Sequence, residues 1–337
     1  MLRISFATNE PLTQGSPSIT SGLKTPVSIL LKDRDRKHPD YQCTLPPGVT
    51  MNGPHQYYVN WSIELDGKKV YDLDLKNKTV FIKMDARALG DNLAWMDYIA
   101  VFKYKHDCNV ICSTFFNDIF IPVYPEIMFV APNTRIDNVF AQYYIGTHNT
   151  LNTIYQPSLY LNNPLQKIAC DILGLDFVER KTAVAHLPVS KDPKKICLSE
   201  YASLKVKEWN VVGGWQAIVD MLVEHGYEVH VISKEPSYLK NVINKSGDRP
   251  LQERIQDLAS ASYFIGNSSG LSWLAHSLDC HVFLISDFTP PNHEFQENTT
   301  RIYNKQYPRD IIQYEEVIHP VSLEDVLTQV KSKLNIG

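Results

Sequence analysis

Three things are scarce in this 337-residue sequence, and each scarcity excludes something. Positive charge is not in surplus: 33 Lys and Arg face 37 Asp and Glu, a formal net charge of -4. No global field therefore exists to hold nucleic acid or an anionic membrane. Long apolar runs are missing as well, none approaching the roughly 18 residues of a membrane helix. The opening MLRISFATNEPL lacks a basic segment followed by an apolar one, so a cytoplasmic protein without a membrane partner is expected. Cysteine is sparse and scattered, at Cys43, Cys108, Cys112, Cys170, Cys197 and Cys280. Only Cys108 and Cys112 lie close, and no second pair completes a metal-binding spacing. All six read as reduced, buried residues, and no metal or cofactor is expected. Neither the G-x-G-x-x-G pattern nor a Walker lysine occurs.

What is present suits a large core: 44% of residues are hydrophobic and 21% charged, enough for two or three domains. Residues 1 to about 55 are rich in Pro, Gly, Ser and Thr, with short apolar runs such as Pro26 to Leu31, and read as a small β module. Tyr57 to Leu65 and Lys68 to Leu75 alternate around Asp66-Gly67, a hairpin signal. From Val80 the pattern changes. A strand at Val80 to Met84 precedes a helix over Asp91 to His106, and strands at Val110 to Thr114, Ile127 to Ala131 and Gln142 to Ile145 with a helix at Pro164 to Leu173 complete an α/β unit. Ala183 to Lys194 reads as a linker. Strands at Lys195, Glu228, Tyr263 and His281 then alternate with helices at Gly214, Leu251 and Leu271, which favours a second parallel sheet. Ser322 caps a final amphipathic helix. The expected division is 1–77 for the β module, 78–187 and 188–320 for two Rossmann-like domains, and 321–337 for the last helix.

Two such domains face each other across a cleft at the carboxyl ends of their strands. Asp91, at the start of the first domain's helix, is placed to take a proton from an acceptor hydroxyl; the plainer reading is a helix cap. Asp85 and Asp97 are weaker rivals. In the second domain the loop Ser199 to Trp209 carries Ser199, Ser203, Lys205 and Lys207, followed by a helix bearing Trp215, and suits a diphosphate. The turn Ser268-Ser269-Gly270-Leu271 lets the backbone approach a phosphate, and Lys234-Glu235 ends another strand, where Glu235 suits ribose hydroxyls. Solvated loops and an ordinary tight turn are the plain alternatives.

The segments Gly90-Asp91-Asn92-Leu93-Ala94-Trp95, His106 to Phe115, Lys207-Glu208-Trp209-Asn210, Val231 to Glu235 and Ser268 to Ala275 resemble those of bacterial autotransporter O-heptosyltransferases, similar in their donor half to lipopolysaccharide heptosyltransferases. The resemblance runs from about Tyr57 to Phe295. It implies an α/β fold of GT-B type and inverting, metal-independent transfer of a heptose from ADP-heptose to a hydroxyl, as on protein serine. It implies Asp91 as base, Lys207 as diphosphate ligand, the Ser268 turn as phosphate loop, and a nucleotide-sugar donor as partner. It also implies an N-terminal β domain used in homo-oligomer assembly. A departure is visible. The family carries an iron-binding, cysteine-rich segment near its C-terminus, whereas nothing after Cys280 here is Cys, and Arg301 to Ile312 occupies that region. No iron site is expected on that ground. Two rival functions remain: a phage-type glycosyltransferase acting on hydroxymethylated DNA bases, in a phage-infected bacterium, and a non-catalytic sugar- or nucleotide-binding module.

Overall fold

The computed structural model describes residues 2–6, 15–147, 156–312 and 320–337. Seven strands come first: β1 (Leu2–Ser5), β2 (Ser18–Ser21), β3 (Val27–Asp33), β4 (Tyr41–Leu45), β5 (Thr50–Asn52), β6 (Trp61–Leu65) and β7 (Lys68–Asp72). They pair antiparallel in two sheets, ordered β1-β2-β5 and β4-β3-β6-β7. In β3 the side chains of Val27, Ile29, Leu31 and Asp33 point inward and their neighbours are more exposed, the period-2 pattern of a one-sided sheet. Asp66 and Gly67 join β6 to β7 with φ of 47° and 77°, the left-handed pair that a two-residue hairpin turn requires.

Next come β8 (Thr79–Met84), α1 (Leu89–His106), β9 (Asn109–Thr114), the single turn α2 (Asn117–Phe120), β10 (Met128–Val130), β11 (Ala141–Tyr144) and α3 (Leu165–Leu173). Their strands form a parallel sheet ordered β10-β9-β8-β11. Helix α1 buries Trp95, Met96, Ile99 and Phe102, each contributing roughly 1.5–3 kcal/mol by removal from water. It ends where Asp107 turns left-handed and donates its N–H to Lys103 and Tyr104. Phe6 bridges the free side of β11 at Ala141 and stacks on Tyr71 and Phe140.

The remaining elements are β12 (Asp192–Ser199), α4 (Gly214–Glu224), β13 (Glu228–Val231), β14 (Ile243–Asn244), α5 (Leu251–Ala259), β15 (Ala261–Asn267), α6 (Gly270–Ser277), β16 (His281–Ile285), β17 (Thr299–Ile302) and α7 (Leu323–Leu334). The six strands are parallel, ordered β14-β13-β12-β15-β16-β17. Ile196, Leu198, Val231 and Phe283 meet Leu222 of α4 and Val326 and Val330 of α7 on one face. Cys197, Phe264 and Leu284 meet Leu258 of α5 and Leu274 of α6 on the other. Cover on both faces explains why these strands read as continuous apolar runs.

Strand β14 was not anticipated from the sequence, and two further differences have a local cause. Strand β12 starts at Asp192, inside the stretch read as linker, because a register shift between Asp192 and Ile196 absorbs Pro193, which has no N–H to give the ladder. Strand β17, T-T-R-I, went unread because only Ile302 of its four residues is buried. Helix α7 starts as expected, Ser322 Oγ accepting the Asp325 N–H at 3.1 Å. No helix among the described residues is long and apolar enough to cross a membrane.

Candidate active site

Helices α1 and α6 both begin at the cleft between the two parallel sheets, and their first turns touch. A Cβ added to Gly90 would lie 3.0 Å from Trp273 Cδ1 and 3.6 Å from the Gly270 Cα, while one on Gly270 would lie 3.0 Å from Leu89 Cβ and 3.3 Å from the Gly90 nitrogen. Absence of side chains at both positions is what allows this approach. The turn before α1 is fixed from beneath by Asn92, whose amide donates to the Ala86 and Ala88 carbonyls at 2.8 and 2.9 Å and whose oxygen accepts from Thr114 Oγ1 at 2.6 Å.

Asp91 is therefore held at the third helical position, with Ala88 as N-cap and no side-chain cap bond. It lines the cleft rather than closing the helix end. Burial raises its pKa to about 6, against the lowering effect of the Lys207 charge. The rival carboxylates are committed elsewhere. Asp85 accepts from Ser113 Oγ at 2.7 Å, and Asp97 accepts from Tyr124 Oη at 3.2 Å and pairs with Arg180 at 3.0 Å.

Across the cleft, of about 470 Å³, stand Ser199, Ser203, Lys207, Lys234, Glu235 and the turn Ser268, Ser269, Gly270 and Leu271. Lys207 ends a short 3-10 turn, Lys205–Lys207. Burial pulls its ammonium below the ordinary lysine value, while the charges of Glu294 and then Asp91 push back. Its Nζ lies 5.3 Å from the Phe288 ring centroid, and no carboxylate among the described residues comes within 4.0 Å of it. A half-buried cation without a close counter-ion, beside the amino end of α6, suits a diphosphate. Ser272 Oγ accepts the Ser269 N–H at 3.1 Å and donates to the Ser269 carbonyl at 2.6 Å, which sets the turn's shape.

Two residues singled out from the sequence lie outside the cleft. Lys205 is exposed, pairs with Glu208 at 3.2 Å and sits over the Tyr201 ring. Trp215 sits edge-on to Trp209 and donates its indole N–H to the Trp209 carbonyl at 3.1 Å, so it is packing. The reason is local. The 3-10 turn points only its last lysine inward, and α4 turns its first residues toward Trp209, whose ring lies where a Cβ on Gly214 would clash at 2.6 Å.

Sequence reasoning missed Asn267, Thr289, His293 and Glu294. Asn267 accepts the Trp209 N–H at 3.0 Å and donates to the Glu200 carbonyl at 2.9 Å, binding the Lys207 loop to the end of β15. Thr289 and His293 line the cleft. His293 also ties the halves together, accepting the Leu165 N–H at its carbonyl at 2.8 Å. Asn267, an amide at the end of a strand, carried a signal that could have found it; the others lie on an irregular loop without a spacing signal.

No protein-family model matches the chain. The autotransporter heptosyltransferase TibC of Escherichia coli O78:H11 is 30% identical over 296 residues, covering 82% of this chain and 72% of TibC. Aah of Escherichia coli is 33% identical over 273 residues, covering 74% and 68%. The chain belongs to the autotransporter heptosyltransferase family. A third member, BimC of Burkholderia thailandensis, is 28% identical, covers 80% of this chain and 67% of its own, and is described as inactive. Crystal structures of TibC, described as an iron-containing dodecameric glycosyltransferase, superpose with TM-scores of 0.78 and, with ADP-D-β-D-heptose bound, 0.77, at 27% and 26% identity and over 90% of this chain and 82% of TibC. A family 9 glycosyl transferase from Veillonella parvula shares the fold at TM-score 0.56 and 10% identity, over 78% and 99% of the two chains. The fold is thus of GT-B type, as the resemblance implied.

One expectation is corrected by the same comparison. The reading that the chain uses no metal is overturned, because TibC contains iron. Among the described residues no group of three or more His, Cys, Asp or Glu side chains is arranged to hold a metal, and all six cysteines are free thiols. These residues do not fit an iron site.

Proposed function

We propose that this autotransporter heptosyltransferase family member transfers heptose from ADP-heptose to a hydroxyl on a protein, with inversion at the anomeric carbon. In this reading residues 78–187 form the acceptor side and residues 188–320 the donor side. The observation that carries it is the pairing, across one cleft, of a carboxylate raised to about 6 and a half-buried lysine without a close counter-ion. The acceptor oxygen attacks the anomeric carbon, and its proton passes to an Asp91 carboxylate oxygen. The bond to the β-phosphate oxygen breaks, its electron pair leaving with ADP, whose charge Lys207 and the α6 amides balance. Attack from the Asp91 side, opposite the leaving group, inverts the centre.

Lys234 and Glu235, exposed at the end of β13, are suited to the ribose end of the donor, and Ser199 and Ser203 to its hydroxyls or phosphates. TibC is dodecameric, which supports assembly of this chain into a homo-oligomer through its N-terminal sheets. The net charge of -4 favours a protein over a DNA acceptor.

The test is incubation with ADP-heptose and a panel of secreted passenger polypeptides, reading ADP release and the mass of the acceptor. Release of ADP with an acceptor gain of one heptose supports the reading; no stabilisation by ADP-heptose and no release overturns it. Binding without release would instead match the inactive relative BimC.

A further inference from the structure

Behind the Ser268 turn lies a buried charge that the transfer chemistry does not use. Glu294, 3% exposed, accepts from Ser268 Oγ at 2.6 Å and from Thr289 Oγ1 at 2.8 Å on the same oxygen, Oε1. Its other oxygen pairs with Arg301 of β17. Arg301 Nη2 also donates to the Thr289 hydroxyl at 2.8 Å and to the Thr289 and Ser286 carbonyls at 2.9 and 3.0 Å. Burial acts to raise the Glu294 pKa, yet Arg301, His293 and the two hydroxyls hold it at about 2, so it stays ionised while carrying these bonds.

We infer that Arg301 and Glu294 are positioning residues for the donor turn, and that Ser268 is the foot of that turn rather than one of its phosphate donors. A hydroxyl has one proton to give. That of Ser268 is spent on Glu294, with the residue 5% exposed, so the diphosphate is left to Lys207, the backbone amides that open α6, and Ser269. The chain Arg301 to Thr289 to Glu294 to Ser268 joins the loop after β16 to the end of β15, so strain in one is passed to the other. An ionised carboxylate behind a phosphate site would repel the ligand if it stood alone. Its pairing with Arg301 cancels that field, and its residual effect on Lys207 is to favour the charged lysine.

The inference rests on the transferase reading, and the experiment separates the two. ADP affinity and steady-state kinetics with ADP-heptose are measured for the wild type, Ser268→Ala, Ser269→Ala, Glu294→Gln and the double variants of each serine with Glu294→Gln, with melting temperatures to confirm folding. Ser268→Ala is expected to weaken ADP about tenfold, the size of one lost charge-assisted hydrogen bond. Adding it to Glu294→Gln should cost clearly less than it does in the wild type, because the amide oxygen of Gln accepts from Ser268 only as a weaker, uncharged hydrogen bond. Ser269→Ala should be additive with Glu294→Gln. Donor KM should move more than kcat. Should Glu294→Gln fail to fold, Thr289→Val replaces it in the cycle, since it loosens the same Oε1 and leaves the ion pair. Additive losses for Ser268→Ala with the partner variant, or ADP affinity unchanged by Ser268→Ala, overturn the inference while leaving the transferase reading intact. A wild type that binds no ADP and turns over no ADP-heptose overturns both.

Discussion

Gly90 and Gly270 stand against each other where two helices begin, so close that a Cβ on Gly270 would come within 3.3 Å of the Gly90 nitrogen. One helix carries Asp91 and the other opens from the Ser268 turn. The spacing between the proposed base and the proposed phosphate turn is therefore set by two residues that have no side chain.

Gly270→Ala tests this spacing. Alanine would ordinarily favour a helix by up to about 1 kcal/mol, but here it must push back Leu89 and the backbone of Gly90. A melting temperature changed little, with kcat reduced about tenfold or more, is expected from a displacement of well under 1 Å at the reacting atoms. Calorimetry and initial-rate kinetics check it.

Asp91→Asn keeps the shape and removes the proposed base. A fall in kcat of about 10²–10⁴ is expected, with ADP-heptose affinity kept. Isothermal titration beside a rate assay distinguishes loss of chemistry from loss of binding.

The pH dependence follows from the same carboxylate. With Asp91 at about 6, kcat/KM should climb as pH rises and level off above roughly 7. The stability effect has the opposite sign. A carboxylate raised from its ordinary 3.8 binds more protons folded than unfolded between those values, so its contribution is full below 3.8 and is lost as pH rises through 6. Asp91→Asn should therefore raise the melting temperature at pH 7.5, by an amount of order 1 kcal/mol in stability, and the gain should vanish near pH 4.

Lys207→Met should raise donor KM by about tenfold or more, as loss of a charged phosphate contact does. It should also move the kcat/KM profile to higher pH, since the lysine charge lowers the Asp91 pKa. Lys205→Ala should leave both within about twofold, because an exposed ion pair is worth little. Parallel profiles of the two variants check the distinction.

Regularity in the sequence decided how much could be read from it. Alternating strands and helices after Lys195, the Asp66-Gly67 hairpin and the Ser322 cap have local causes, and the structure contains each. Asp91 and Lys207 were legible because strand ends in such folds face a cleft, and both line it. Trp215 and Lys205 were misplaced because sequence shows which turn a residue is in but not which way the turn points. Glu294 and Arg301 escaped altogether: Glu294 meets Ser268 only after 26 further residues of chain, Arg301 reaches Glu294 from the next strand, and no periodicity connects them.

Phe6, stacked on Tyr71 and Phe140 and bridged to Ala141, makes dissection of this protein hazardous. A fragment trimmed to the two parallel sheets would bare the flank of β11 along with the aromatic surface that Phe6 conceals. Such naked strand flanks recruit one another, so the trimmed fragment should precipitate where the longer chain stays dispersed.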